Sequence, residues 1–303
     1  KNSIHFCIFS FISPARVSVQ TTHFTSTCER ADHPHCVRLL LAAHARTDAY
    51  DSDFEDIRRR VPQLGRLRGL IPDPIKHDLD AMLGLMTANT KMVVITNPNN
   101  PTGTLLTTAE IERFAKRIPE SVILVVDEAY IHFAEGDKLP SAISLAASMD
   151  NVAVVRTFSK IYAMPAMRLG YAVASDKIRR EMEKYNGGGQ IGPNKLANVA
   201  GAAAASDMDH VGRSREAVFA FKKRCYEEFD KMGLEYLPSQ SNFMMVNLGR
   251  QAGPIVMELG KRKVNVSMRP DPAFVNWMRI SSGTKDETEV FLQTLKEVMT
   301  ANL

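Results

Sequence analysis

The chain has 303 residues, 45% of them hydrophobic, and a formal net charge of +4. That is enough apolar chain for a sizeable core, divided between one large domain and a smaller one, and no run approaches the roughly 20 apolar residues of a membrane span. The charge is scattered rather than gathered into a stripe, which argues against nucleic-acid binding, and the four cysteines, at 7, 28, 36 and 225, lack disulfide spacing and suit a reducing cytoplasm.

The front of the chain is the least informative part. Residues 1–64 contain none of the 17 glycines. The apolar stretch 4–12 behind Lys1 imitates a secretory core segment. Cys28, His33, His35 and Cys36 imitate a metal cluster, but Pro34 and the tight spacing make a closed tetrahedral site awkward, so no metal is expected. The arginines at 58–60, 66 and 68 read as solvated charges.

After Gly65 the pattern alternates strands and helices, which predicts an α/β fold with a mostly parallel sheet covered by helices on both faces. Strands are expected at 92–96, 122–126, 152–156 and 171–174. A helix is expected at 107–118, capped by Thr107 or Thr108, with Ile111, Phe114 and Ala115 on its apolar face. A short helix follows at 141–149. Helical chain at 196–232, broken near 206–212, carries the sequence into a smaller α+β part. There, 243–248 and 277–281 alternate like half-buried strands, and 285–299 is an amphipathic helix with Val290, Leu292, Leu295 and Val298 among its apolar positions. Gly187, Gly188 and Gly189 mark a flexible loop. The expected division is 1–70 as a divergent or truncated front segment, 71–205 as the large domain and 206–303 as the small one.

The chemistry gathers where apolar strands end, the place where open α/β sheets bind ligands. Asn97-Pro98-Asn99-Asn100-Pro101-Thr102-Gly103 follows the first predicted strand, Asp127-Glu128-Ala129-Tyr130 the second, and Thr157-Phe158-Ser159-Lys160 the third, with Arg168 eight residues on. This ordered set describes a pyridoxal phosphate site. An aldehyde cofactor needs a lysine amine as Schiff-base partner, here Lys160. A pyridine ring kept protonated needs a buried carboxylate, here Asp127. A phosphate needs hydroxyls and a guanidinium fork, which Thr157, Ser159 and Arg168 supply. Asn100 and Tyr130 are placed to bond the ring hydroxyl. Each has a plainer reading: a lone lysine in such a loop is ordinarily solvated, Asn97 and Asn99 are turn formers, and Asp127 is a possible helix cap. The ordered company is what singles out Lys160.

From about His77 to the C-terminus these motifs resemble the fold-type I, class I/II pyridoxal phosphate aminotransferases, and within them the histidinol-phosphate aminotransferase branch. The resemblance assigns Lys160 to the cofactor aldehyde, Asp127 to the pyridine nitrogen, Asn100 and Tyr130 to the ring hydroxyl and Arg168 to the phosphate. Arg279, in Met278-Arg279-Ile280-Ser281-Ser282-Gly283, matches the arginine that clamps the substrate carboxylate, and Arg269 occupies the place of a second substrate arginine facing a distal phosphate or acid. It implies a transaminase acting on an amino donor, histidinol phosphate preferred, and a 2-oxo acid, working as a homodimer. An aromatic or broad-range aminotransferase, a phosphothreonine decarboxylase or an impaired fragment would carry the same motifs. The front segment departs from the family, whose members place a glycine-bearing turn ahead of a phosphate-holding helix.

Overall fold

The computed structural model describes residues 76–301 apart from 89, 137–138, 184–193 and 270, together with the backbone of two strands, β1 (His5–Ile12) and β2 (Arg16–Gln20). The metal-like cysteine and histidine cluster, the arginine clusters, the triple glycine and the glycine-free stretch 21–64 lie outside the described residues. Most of the apolar opening stretch is strand β1.

The elements that follow are α1 (Leu79–Gly84), β3 (Met92–Thr96), α2 (Thr108–Ala115), β4 (Ile123–Asp127), α3 (Ile143–Ser148), β5 (Val152–Thr157), β6 (Leu169–Ala174) and α4 (Asp176–Glu183). Six strands form one mixed sheet in the order β2-β1-β6-β5-β4-β3. β3, β4 and β5 run parallel, while β6 is antiparallel to β5 and β1 antiparallel to β6. The parallel strands end together, and this brings the predicted site motifs to one edge of the fold.

Side chains two apart on a strand share a face. Leu124, Val126, Val152, Val154 and Val173 therefore pack on Ile111, Phe114 and Ala115 of α2 and Leu145 and Ala146 of α3. The intervening Ala153, Ala172 and Ala174 meet Ile178 and Met182 of α4. Burial on both faces is why β4 reads as an unbroken apolar run. α2 begins with Thr107, whose hydroxyl accepts from Glu110 N while the Glu110 carboxylate accepts from Thr107 N, a reciprocal cap.

The chain then forms α5 (Lys195–Ser206) and the long α6 (Met208–Met232), separated at Asp207, which caps α6 by accepting from His210 N at 2.9 Å. α5 lies tight against β6, because a Cβ on Gly201 would come within 2.3 Å of Leu169 Cδ2. A second, antiparallel sheet follows in the order β7-β8-β10-β9, from β7 (Glu235–Leu237), β8 (Phe243–Asn247), β9 (Ser267–Met268) and β10 (Trp277–Ser281). Its Met244, Val246, Met278 and Ile280 pack on α6, on α7 (Ala252–Lys261) and on α8 (Lys285–Thr300).

Two sequence expectations are corrected here. β8 is buried along both faces rather than half-buried, because Phe243 packs against Tyr130 and Ile161 and Met245 against Trp277 and Leu237. Val290 is 58% exposed, since the buried stripe of α8 is Thr288, Phe291, Leu292, Leu295 and Val298, and Val290 stands about 100° round the helix from Phe291.

Among the described residues no helix is long and apolar enough to cross a membrane.

Candidate active site

Three turns at the ends of β3, β4 and β5 build the site. The first is folded by its own amides. Asn97 is fully buried, and its side chain donates to Leu106 O at 3.0 Å and accepts from Leu106 N at 2.7 Å. Asn99 O accepts from Gly103 N, and Asn99 N donates to Thr104 O. The Asn97–Pro98 and Asn100–Pro101 bonds are cis. Asn97 and Asn99 are thus turn formers, and Asn100 is the member that reaches outward, with its Oδ1 3.4 Å from Arg269 Nη2.

Asp127 closes β4 in register with Thr96 on one side and Val155 on the other, and only 6% of it is exposed. Its Oδ1 accepts from Ala129 N at 3.0 Å, so the carboxylate shapes the turn that leads to Tyr130 instead of capping a long helix. Tyr130 is buried. Lys160 Nζ lies 5.2 Å from the centroid of the Tyr130 ring, which draws the amine over its face.

Lys160 itself sits in the loop that leaves β5. Thr157 Oγ1 accepts from Ser159 N and contacts Leu169 O, so that hydroxyl is engaged in forming the loop. Ser159 is half-buried beside it. Ala163 N donates to Lys160 O at 3.0 Å, and Met164 N to Phe158 O at 3.1 Å. Arg168 stands next to this loop because Phe158 N bonds Leu169 O, and its guanidinium donates to Pro165 O at 2.9 Å.

The arginines come from the second sheet. Arg279 Cζ is 3.8 Å from the centroid of Phe243, a cation on an aromatic face. Phe243 meets Tyr130 edge-on, with centroids 5.0 Å apart at 88°. Lys160, Tyr130, Phe243 and Arg279 are therefore one continuous series of contacts across both sheets, and Arg269 touches Asn100. Asp127, Thr157, Ser159 and Arg168 are tied to that series through the backbone of the same turns. Phe243 was not legible as a site residue: an aromatic opening a strand looks like any core residue until its partners are known.

Beneath the site lies a buried ion pair. Glu128 accepts from Arg156 Nη2 at 2.7 Å and Nε at 2.9 Å, from Ser141 Oγ at 2.9 Å and from Ala142 N at 2.6 Å. Burial opposes the Arg156 charge, but Glu128 and Tyr171 together outweigh it and hold the guanidinium above its ordinary pKa. His132, two residues past Tyr130, is pushed down to about 4 by burial and by the positive Arg156 and Arg215.

A sheet that delivers a lysine, a buried carboxylate and an asparagine turn at the ends of three parallel strands, opposite arginines from a second sheet, defines a class of amino-group-transferring proteins. The chain belongs to the aminotransferase class I and II family, whose model matches residues 63–295. Among its relatives, the histidinol-phosphate aminotransferase of Moorella thermoacetica is 36% identical over 225 residues, covering 74% of this chain and 58% of the relative. Histidinol-phosphate aminotransferase 2 of Pseudomonas aeruginosa is 37% identical over 227 residues, covering 74% and 60%. The structure of the Sinorhizobium meliloti histidinol-phosphate aminotransferase in complex with pyridoxal-5'-phosphate matches with a TM-score of 0.63 at 28% identity, over 75% of this chain and 62% of that one. The chain spans 58–65% of the length of the curated relatives named first among its matches.

Proposed function

We propose that this chain is a pyridoxal phosphate-dependent transaminase that exchanges the amino group of a phosphorylated amine, histidinol phosphate by preference, with a 2-oxo acid. The observation that carries the reading is the unbroken series Lys160, Tyr130, Phe243, Arg279, which sets an amine at one end of a wall and a carboxylate-binding fork at the other.

The donor set fits the cofactor. Asp127 offers a buried carboxylate for a ring nitrogen, Arg168 a guanidinium for a phosphate, Tyr130 a phenol and Asn100 an amide for a ring hydroxyl, and Lys160 an amine for the aldehyde. Bound there, pyridoxal phosphate supplies a carbonyl that condenses with amines and a ring that withdraws electrons. The residues do the rest. Arg279 grips the substrate carboxylate or the equivalent oxygen in two parallel bonds, and Phe243 beneath it fixes the plane of the fork. Lys160 Nζ would act as the general base and acid that moves the proton at the substrate α-carbon. Arg269, whose Nη2 donates to Asn100 Oδ1, would hold the orientation of that amide, and it is the candidate for a distal phosphate. On this reading residues 71–205 hold the cofactor and 206–303 bring the substrate arginines.

The test is a pyridoxal phosphate titration followed by visible absorption, beside a Lys160→Ala control. A saturable band that requires Lys160 supports the reading, and its absence rejects it. A donor screen that separates ketone product from carbon dioxide then distinguishes transamination from decarboxylation. If Arg269→Ala leaves the preference between phosphorylated and unphosphorylated amines unchanged, the phosphate role is withdrawn.

The same reading includes a homodimer in the cytoplasm. Leu196 and Val199 on the outer face of α5 are 74% and 71% exposed, an apolar surface suited to a second copy. Light scattering should give twice the monomer mass, and Val199→Lys should lower it.

A further inference from the structure

We propose that His210 is a positioning residue for Lys160, acting through the main-chain carbonyl of Ile161. The inference rests on the cofactor role of Lys160 given above. His210 lies in the first turn of α6, anchored by the Asp207 cap, and its Nε2 is 3.1 Å from Ile161 O. A carbonyl only accepts, so Nε2 is the ring nitrogen that carries the hydrogen and donates. Ser214 Oγ, one helical turn further on, stands 3.3 Å from the same nitrogen and receives a second branch of that bond.

The consequence for Lys160 follows from where its neighbours are held. Lys160 O is fixed from within the loop by Ala163 N, and Ala163 adopts a left-handed φ of 53°. Ile161 O, the next carbonyl, is reached from α6 by His210. Between the two, the Ile161 side chain is buried against Tyr130, Phe243, Val211 and Val218. The peptide that carries Lys160 is thus clamped on both sides, and this aims its side chain at the Tyr130 ring. Arg215, further along α6, donates to His132 O, so the same helix also holds the loop that bears Tyr130. Without the His210 donor a carbonyl in apolar surroundings loses its partner, and the loop turns to satisfy it elsewhere.

Aim matters only to the bond between the amine and the cofactor carbonyl; ring and phosphate contacts come from Asp127, Asn100 and Arg168. A double-mutant cycle separates the two. The proteins are the wild type, His210→Phe (a ring without the N–H), His210→Gln (a side-chain N–H retained), Lys160→Ala, and Lys160→Ala with His210→Phe. Total bound pyridoxal phosphate is read by equilibrium dialysis, and the Lys160-dependent bond by the visible band and by borohydride fixation detected as added mass.

His210→Phe should need about tenfold more cofactor for half the visible band, and His210→Gln should stay within about threefold of wild type. In the Lys160→Ala background, His210→Phe should leave dialysis unchanged, because the residue acts through the lysine. Equal weakening in both backgrounds, or no shift in either, overturns the proposal. If His210→Phe fails to fold, His210→Leu serves in its place, with a shift of similar size in the same direction expected and no shift overturning the proposal. A wild type with dialysable cofactor but no band would reject the transaminase reading itself and this inference with it. A normal wild-type band that His210→Phe leaves untouched rejects this inference alone.

Discussion

Arg156 and Glu128 show what a single residue is worth in this fold. Glu128 is fully buried, and four donors converge on its two oxygens, two of them from Arg156. Arg156→Met strips half of those donors and leaves an uncompensated charge, which should cost about 3–5 kcal/mol by urea unfolding. Arg156→Lys should recover little of it, because a point charge cannot reproduce the fork that also reaches Ser141 at 2.9 Å. His132 makes a prediction in pH. Its pKa is lowered from 6.5 to about 4 by burial first, then by Arg156 and Arg215, and its ring lies edge-on to Tyr162. A histidine depressed in the folded state favours folding while neutral. That contribution is complete above pH 6.5 and lost as the pH falls toward 4. Thermal midpoints measured across this window should fall, and His132→Phe should flatten the slope.

At the scale of elements, the local signals were the legible ones. Thr107 with Glu110 and Thr284 with Glu287 both form reciprocal caps. Thr284→Ala removes the acceptor for Glu287 N, and α8 should lose about 1 kcal/mol, visible as a lower denaturant midpoint with an unchanged slope. Strands at 92–96 and 277–281 were legible to the residue because an apolar run and an alternating segment need no distant partner to be recognised. The turn role of Asn97 and Asn99 was legible for the same reason. What escaped depends on faces that only assembly creates. β8 alternates no polarity because Tyr130 and Trp277 cover the side opposite its helices, and Val290 looks like a stripe residue until the stripe is fixed by what α8 touches. His210 gave no signal, since its function lies in a contact 49 positions away in sequence. The site motifs were readable as a set; the series that joins Lys160 to Arg279 through Phe243 was not.

The whole molecule depends on how its two sheets are fastened, because the lysine comes from one and the arginines from the other. The fastening is polar and partly buried. Gly103, at a φ of 75°, lies so close to Ser239 that a Cβ would come within 2.2 Å of its Oγ. Gln240 N donates to Gly103 O at 2.8 Å, and Glu135 N to Gln240 Oε1 at 2.7 Å. Lys222 of α6 ties these turns together, donating to Glu135 at 2.8 Å and to Ser239 O at 2.9 Å. The Lys222 side chain is 2% exposed, whereas that of Glu135 is 57% exposed, so the two partners are not equivalent. Burial lowers the Lys222 pKa more than Glu135 restores it, which means the pocket on balance disfavours the ammonium. Glu135→Ala should therefore be the costlier change, at about 2–3 kcal/mol, because it leaves the buried amine only the Ser239 carbonyl and the face of the Phe219 ring. Lys222→Met fills the same space without charge and should cost only the lost hydrogen bonds, about 1–2 kcal/mol. Once the amine is gone Glu135 is an ordinary surface acid, so the double variant should match Lys222→Met to within about 0.5 kcal/mol. Denaturant unfolding of the three variants decides it: if the two single losses simply add, the pair is uncoupled and the junction is held by the Gly103 and Ser239 contact instead.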